Sequence, residues 1–346
     1  MAPFPDTIGA VGPVASQAYD FEPSAGRARF LDQRMRSELA ASLRYLADKL
    51  EPHIPIDRLL FSSFLERLKA HSVSPLAFAL YADVVFAIDN EDLPEANRLW
   101  NLLISQPASE AGLTIRELGD RTKDENSDRY IRYIDTDPEM SLEFFPPSKE
   151  SSQSSRNKIR DALAFLEATD PALSAEIKEL IREIMLCSGG AADSAKSMFD
   201  GASSFMLWGA ILINADRPGD QLSMVQMLAH ESAHNLLFGL CPDEPLLNND
   251  RTERYASPLR TDLRPLEGIY HATFVTARMH RAIKRLADSG ILSPNQKTTA
   301  EKDVEHNEKS FAQGMATLDK HADLTEAGRA IIEGARAYMN PFLKGH

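Results

Sequence analysis

Two histidines and a glutamate, His230, Glu231 and His234, form an HExxH pattern inside the apolar run of residues 228–240. Residues four apart on an α-helix lie about 40° apart around its axis and one turn apart along it, so both imidazoles can reach one cation. Glu231 can act as a base or orient a ligand. The pattern predicts a metal-binding helix over residues 221–239. The alternative is a buried helix whose histidines are only hydrogen-bonded, although desolvating these groups is costly without a metal.

A third protein ligand is needed to complete such a site. Glu253 follows His234 after eighteen residues, a separation typical of one large class of zinc aminopeptidases, but its neighbours lack the Asn-Glu-Gly setting of that class. Glu267 and His271 are the other candidates. We prefer His271, because Glu267 lies one helical turn away and can hold its ring N–H or a nearby arginine.

The segment that carries His271 is predicted to be a helix that starts near Pro265 and stops at Gly290. Arg264, Glu267, His271 and Arg278 are spaced three, four and seven residues apart, which places them on one stripe of that helix. A charged stripe of this kind is often only a solvated face, so the spacing alone leaves both interpretations open.

Composition limits the class of protein. The chain has 346 residues, of which 43% are hydrophobic, so it can bury the core of one large or two ordinary domains. The net charge of -13 argues against a nucleic-acid partner. Cys187 and Cys241 form neither a disulfide framework nor a Cys-x-x-Cys pair, which favours a reducing cytoplasm. The first residues lack a secretion signal, and residues 75–88, broken by Asp83, are too short to span a bilayer.

Periodicity predicts a mainly α-helical protein with a small β-sheet, an α+β class in which a zincin-like HExxH helix follows a helical N-terminal half. The predicted regions are an irregular arm over residues 1–26, a helical region over 27–110 and a metal-binding catalytic region over 111–346. The predicted helices begin near residue 28 and near residue 265 and also cover residues 57–70, 75–89, 92–105, 154–168 and 172–186, with two more in the tail over 297–346.

Three other segments have distinct patterns. Residues 121–128 are predicted to form a charged loop, and residues 144–148 are predicted to form a turn or a boundary. Residues 203–214 are the best strand candidate, because they combine aromatic and branched side chains. In metal-dependent peptidases such a strand lines the substrate groove by edge pairing. An internal core strand is the equal alternative.

Residues 228–234, followed by residues 255–271, resemble the HExxH-containing peptide-modification family, which is associated with 2-oxoglutarate-dependent β-hydroxylation. The Ser-Pro-x-Arg-x-Asp-x-Arg-Pro block at residues 257–265 distinguishes that family from ordinary zinc peptidases. The likeness covers roughly residues 200–285. It implies Fe(II) held by His230, His234 and His271, with 2-oxoglutarate and O2 as cosubstrates.

The positive charges in residues 257–265 agree with 2-oxoglutarate as a cosubstrate. Iron held by three protein ligands keeps three positions open for the cosubstrate and dioxygen. The far carboxylate of 2-oxoglutarate needs a cation, and a guanidinium is the best single partner. Arg260 and Arg264 are the candidates, whereas a peptidase, which attacks a neutral amide, needs no such pair.

The sequence therefore predicts hydroxylation of an unactivated carbon of an amino-acid residue, in a peptide or as a free or carrier-bound amino acid. Glu231 would lie behind the ligands or near the substrate. The main alternative is a Zn(II) metallopeptidase with Glu231 as general base and Glu253 or Glu267 as third ligand. A further alternative is a peptide-binding protein without activity that keeps a structural metal.

Overall fold

The computed structural model describes residues 19–109, 112–134, 142–191, 199–217, 219–241, 244–259 and 263–343. These residues are mainly helical and include a small mixed β-sheet, which confirms the predicted α+β class. None of the described helices is long and apolar enough to cross a membrane.

The helices and strands follow one another along the chain in an order that places most strands in its middle third. The helices are α1 (Ala25–Leu50), α2 (Arg58–Ala70), α3 (Pro75–Asp89), α4 (Leu93–Ile104), α5 (Glu125–Ile134), α6 (Lys149–Thr169), α7 (Pro171–Leu180), α8 (Gln221–Leu240), α9 (Leu266–Asp288), α10 (Pro294–His321) and α11 (Glu326–Met339). The strands are β1 (Thr114–Glu117), β2 (Leu142–Phe145), β3 (Glu183–Ala191), β4 (Gly201–Ser203), β5 (Ala210–Asn214), β6 (Tyr255–Ala256) and β7 (Leu263–Arg264).

Helix starts agree with the prediction where a capping side chain marks them. Asp57, Ser74 and Asp92 accept hydrogen bonds from backbone N–H groups in the first turns of α2, α3 and α4. These side chains satisfy donors that have no partner within the helix. The predicted helices over 57–70, 75–89 and 92–105 are therefore confirmed to within one residue at each end.

The predicted helix over residues 172–186 is wrong in its second half. The helix α7 ends at Leu180, and strand β3 begins at Glu183. Gly189 lies inside this strand. A Cβ atom on Gly189 would collide with the backbone carbonyl of Glu143 in β2, so the glycine permits close approach of the paired strand.

Two segments predicted as irregular are also regular. Residues 144 and 145, predicted to be a turn, belong to β2, which pairs antiparallel with β3. The charged segment 121–128 is a loop only as far as Asp124, because α5 begins at Glu125. Pairing with a distant strand stabilises β2, and local periodicity does not report such pairing.

The sheet has the order β1-β3-β5-β4, with β2 pairing the far end of β3. Strands β1, β3 and β5 are parallel, and β4 is antiparallel to β5. Every residue of β5 is buried. The strand predicted over residues 203–214 is thus only partly correct, because a short 3-10 helix, Phe205–Leu207, interrupts it. The edge-pairing hypothesis is wrong for β5, which has a neighbouring strand on both sides.

The chain divides into two compact units. The first contains residues 29–152 and 178–217, and so includes most of α1, helices α2 to α5 and the five-stranded sheet. The second contains the described residues of 14–28, 153–177 and 218–346, and so includes α8 to α11 and the β6-β7 hairpin. The predicted boundary near residue 110 falls within the first unit and stays a prediction.

In the second unit, α9 packs against α8, α10 and α11. The predicted irregular arm over residues 1–26 is described only from residue 19, and that part is anchored. Phe21 is 4% exposed, and its ring stacks on Tyr338 with the ring centroids 4.7 Å apart. Helix α1 begins at Ala25, three residues earlier than predicted.

We expect His280 in α9 to make the stability of the protein depend on pH. Its buried ring places Nδ1 3.0 Å from the Tyr338 hydroxyl and Nε2 3.4 Å from a Glu308 carboxylate oxygen. Burial lowers the pKa of His280, and Glu308 opposes this shift. Because the folded-state pKa lies below the unfolded value of about 6.5, the native state binds fewer protons than the unfolded state in acid. Stability is therefore retained above about pH 6.5 and lost as the pH falls from there towards the folded-state pKa.

We expect His280 to contribute a loss of at most about 1.4 kcal/mol per pH unit in that window. Urea unfolding of the parent and of His280→Gln at pH 7.5, 6.5 and 5.5 measures this contribution as the difference between the two pH profiles. Parallel profiles would contradict it.

Candidate metal centre

Helix α8 carries the HExxH pattern, and its start is fixed by Asp220. The Asp220 carboxylate accepts hydrogen bonds from the backbone N–H groups of Leu222 and Ser223. The helix agrees with the predicted range of 221–239 to within one residue. Its apolar face is buried, while Met227, His230, His234 and Phe238 are half-buried. Their spacing of three, four and four residues places them along one line of the helix surface.

The two histidines of α8 are close enough to share a cation. Nε2 of His230 lies 3.1 Å from Nε2 of His234. Two imidazole nitrogens bound to one metal at about 2.1 Å are separated by about 3.0 to 3.4 Å when the angle at the metal is between about 90° and 110°. The observed separation falls in this range, so these two nitrogen atoms fit adjacent positions around one metal ion.

The third imidazole beside this pair belongs to His271 of α9. Nδ1 of His271 lies 3.0 Å from Nδ1 of His234, and the two rings are nearly parallel at 22°. Glu253, the alternative third ligand, is exposed, and its carboxylate accepts a hydrogen bond from the Tyr255 hydroxyl. The structure therefore brings together the three predicted histidines.

The imidazole nitrogen atoms of the three rings are not directed at one common position. Among the described residues, no group of three or more His, Cys, Asp or Glu side chains is arranged to hold a metal ion. The geometric cause is His234, which contacts His230 through Nε2 and His271 through Nδ1. One ring has to turn before all three can bind the same cation.

Glu231 lies behind this group. Its side chain is buried, and Oε1 is 3.9 Å from Nε2 of His230, the same atom that contacts His234. A carboxylate at this distance can accept a proton from a small molecule held beside His230 or can orient it. Glu231 thus has the position that either of the predicted roles requires.

Burial favours the neutral, ligating form of the imidazoles. It lowers the pKa of His234 well below the usual range, and repulsion from His230 and His271 adds to the shift. Burial also lowers the pKa of His271, with the Glu267 carboxylate opposing the shift. A metal ion binds the neutral imidazole, so these rings need not lose a proton at neutral pH before binding.

Glu267 lies near His271, but its carboxylate also contacts another side chain, that of Arg251. Its carboxylate is 3.4 Å from Nε of Arg251, and its side chain is 46% exposed. The influence of Glu267 on the pKa of His271 shows that the two side chains are close enough to interact. This placement is compatible with the predicted supporting role.

The predicted stripe of charged residues on α9 is wrong at both ends. Arg264 precedes the helix and pairs with Tyr255 in the β6-β7 hairpin, because Pro265 caps the helix start. Arg278 is 1% exposed and forms a buried ion pair with Glu176. Arg264 therefore lies outside the helix, and Arg278 lies in its buried part, and the spacing alone could show neither.

Arg264 nevertheless lies beside the turn that precedes His271. A Cβ atom built on Gly268 would be 3.4 Å from Cβ and 3.9 Å from Nε of Arg264, so the Arg264 side chain lies beside Gly268 in the first turn of α9. Gly268 and His271 are three residues apart on α9 and are neighbours on its surface. Arg260, the other predicted arginine, lies outside the described residues.

Two side chains of this centre were not singled out from the sequence. The Phe238 ring lies 6.4 Å from that of His234 and 5.9 Å from that of His271, centroid to centroid. The sulfur of Met279 lies 3.3 Å from Nδ1 of His230. The available signal was helical spacing, since Phe238 is four residues after His234 and Met279 is eight residues after His271.

No protein-family model and no curated protein sequence compared with this chain matches it. The chemistry of the centre therefore has to be inferred from its own residues.

Proposed function

We propose that this protein is an Fe(II)- and 2-oxoglutarate-dependent oxygenase that hydroxylates an unactivated carbon of an amino-acid residue. The observation that carries the proposal is the contact of His271 with His234 of the HExxH helix, together with the position of Arg264 beside Gly268 in the first turn of the His271 helix. Three imidazole donors and a cation nearby are the two elements that binding of a dicarboxylate to iron requires.

Each group has a defined task in this proposal. His230, His234 and His271 would hold the iron, which supplies oxygen activation when bound. Arg264, with Arg260 as the second candidate, would pair with the far carboxylate of 2-oxoglutarate and so fix its orientation. The buried Glu231 would orient a hydrogen-bonding group beside His230. Phe238 would exclude water from one side of the rings.

The resemblance to the HExxH-containing peptide-modification family supports a peptide as the substrate, and a free or carrier-bound amino acid is the alternative. The net charge of -13 is compatible with a neutral or cationic substrate and disfavours nucleic acid. A cytoplasmic location belongs to the same proposal.

We expect the Fe(II)-loaded protein to bind 2-oxoglutarate under anaerobic conditions and Arg264→Ala to weaken this binding about 10- to 100-fold. A bidentate contact between a guanidinium and a carboxylate contributes about 1.5 to 3 kcal/mol, which corresponds to this range. Arg264→Lys should restore only part of the affinity, because lysine lacks the planar fork. Isothermal titration calorimetry measures the affinities, and succinate formation in air measures turnover.

Arg254→Ala is the matched control, because it removes the same charge from the same segment. The Arg254 side chain is exposed and donates to the carbonyls of Arg251 and Thr252 in its own loop. Equal loss of affinity in both variants would show that only net charge matters. Arg260→Ala, measured in parallel, identifies which of the two predicted arginines holds the cosubstrate.

A zinc metallopeptidase is the second candidate, because the Glu231 carboxylate, 3.9 Å from Nε2 of His230, also fits the position of a general base. In that mechanism Glu231 acts as a general base towards a water molecule. The two functions are distinguished by loading the same purified protein with either Fe(II) or Zn(II). Cleavage of a peptide library by the Zn(II)-loaded protein, together with no binding of 2-oxoglutarate to the Fe(II)-loaded protein, would replace the oxygenase proposal.

A further inference from the structure

The two ring nitrogens of His230 face different partners on different helices. Nε2 faces His234 at 3.1 Å, and Nδ1 faces the sulfur of Met279 at 3.3 Å. Met279 belongs to α9 and is half-buried, as His230 is. The contact therefore joins the helix that carries the HExxH pattern to the helix that carries His271.

The contact with a thioether is a hydrogen bond in only one of the two neutral tautomers of His230. Methionine sulfur accepts hydrogen bonds weakly and has no proton to donate. A neutral imidazole has one N–H donor and one lone pair, so the contact is a hydrogen bond only when Nδ1 carries the proton. Nε2 then keeps its lone pair, and this lone pair is directed towards His234.

We propose that Met279 is a positioning residue for His230, whose thioether accepts a hydrogen bond from Nδ1–H and holds Nε2 ready to bind the metal. This inference rests on the proposed function insofar as the ligand of Nε2 is a metal ion. A histidine ligand is usually held from behind by a carboxylate, a carbonyl or a water molecule.

A thioether in that position has a distinct consequence. It is neutral and polarizable, so it fixes the ring without adding negative charge behind it. A carboxylate there would make the imidazole a stronger electron donor. With Met279 in that position, the His230 ring would donate less electron density to a metal ion than it would with a carboxylate behind it.

The test uses the metal-free full-length protein and Zn(II) as the probe, with affinity measured by competition against a chelator. We expect Met279→Leu, which keeps the volume but removes the acceptor, to weaken Zn(II) binding about tenfold, the lower end of the effect of losing such a partner. Met279→Gln supplies a carbonyl acceptor at similar reach, so its affinity should return to within about threefold of the parent. Met227→Leu, a change of the same type at a half-buried methionine of α8, is the matched control and should leave the affinity unchanged.

A second measurement reports the tautomer directly. Nitrogen-15 NMR of the histidine rings in the metal-free protein should show His230 protonated at Nδ1 in the parent and in Met279→Gln. In Met279→Leu the proton should move to Nε2, which an unconstrained imidazole prefers. A change that merely loosened packing would not produce this pattern of loss and rescue.

The outcomes are distinguishable from failure of the proposed function. Unchanged Zn(II) affinity and an unchanged tautomer in Met279→Leu would overturn the role of Met279 even if the parent binds metal tightly. A parent that binds no metal would overturn the proposed function. In that case the tautomer measurement alone would still decide whether Met279 orients His230.

Discussion

Replacing His234 with alanine is expected to weaken metal binding at least about 100-fold. His234 contacts both of the other imidazoles, at 3.1 Å and 3.0 Å, so its removal takes away one of the three proposed ligands and the ring between the remaining two. Loss of a supporting hydrogen bond alone costs about 10- to 100-fold in metal affinity, and loss of a ligand costs more. Chelator competition with Zn(II) measures the change, and far-UV circular dichroism checks that the helices persist.

The identity of the third ligand is tested by a matched pair of variants. His271→Ala should reduce metal affinity to a similar degree, whereas Glu253→Ala should leave it within about threefold of the parent, the size expected where no bond to the metal is lost. Glu253 is exposed and already bonded to Tyr255, so its loss disturbs little else. The reverse ranking of these two variants would assign the third position to Glu253 and favour the peptidase.

Removing the carboxylate of Glu176 is expected to destabilise the protein by about 3 to 5 kcal/mol. Glu176 forms a hydrogen-bonded ion pair with Arg278 and another, at 2.6 Å, with Arg27. Glu176 and Arg278 are 1% exposed, and Arg27 is 8% exposed. Burial lowers the pKa of Arg278, and Glu176 opposes that shift, so Glu176→Ala would leave two buried guanidinium groups without their counter-charge. Urea denaturation measures the free energy of unfolding.

Glu179→Ala is the control for that prediction. Glu179 pairs with Arg29 at 2.8 Å, but the arginine side chain is 60% exposed. An exposed pair of this kind contributes about 0 to 1 kcal/mol, so the variant should stay close to the parent. The buried pair would have to be reinterpreted if Glu176→Ala and Glu179→Ala lost similar amounts of stability.

The sequence was sufficient wherever local chemistry sets the structure. Asp220 satisfies backbone donors that lie within three residues of it, so the start of α8 could be predicted from its neighbours alone. At α10 a capping box of Ser293 and Gln296 sets the start at Pro294, three residues before the predicted tail region of 297–346. The pairing of His230 with His234 belongs to this group too, because the helix itself fixes a spacing of four residues.

The strands could not be predicted from local sequence, because the strands with which they pair are distant along the chain. The second half of the predicted helix over 172–186 is the strand β3, because β1 and β5 flank it and β2 pairs its far end. Hydrogen bonds across these strands outweigh the local helical tendency of the segment. The role of Gly189 likewise became clear only from the close approach of the β2 backbone.

The sequence determined the candidate residues for chemistry in this protein, namely two histidines and a glutamate on one helix and three candidates for a third ligand. Only the tertiary structure decided that the ring of His271 meets His234, that Arg278 is used in a buried ion pair, and that a methionine lies behind His230. The physical reason is that spacing along a chain fixes neighbours within one helix, whereas packing of α9 against α8 fixes which side chains meet between helices.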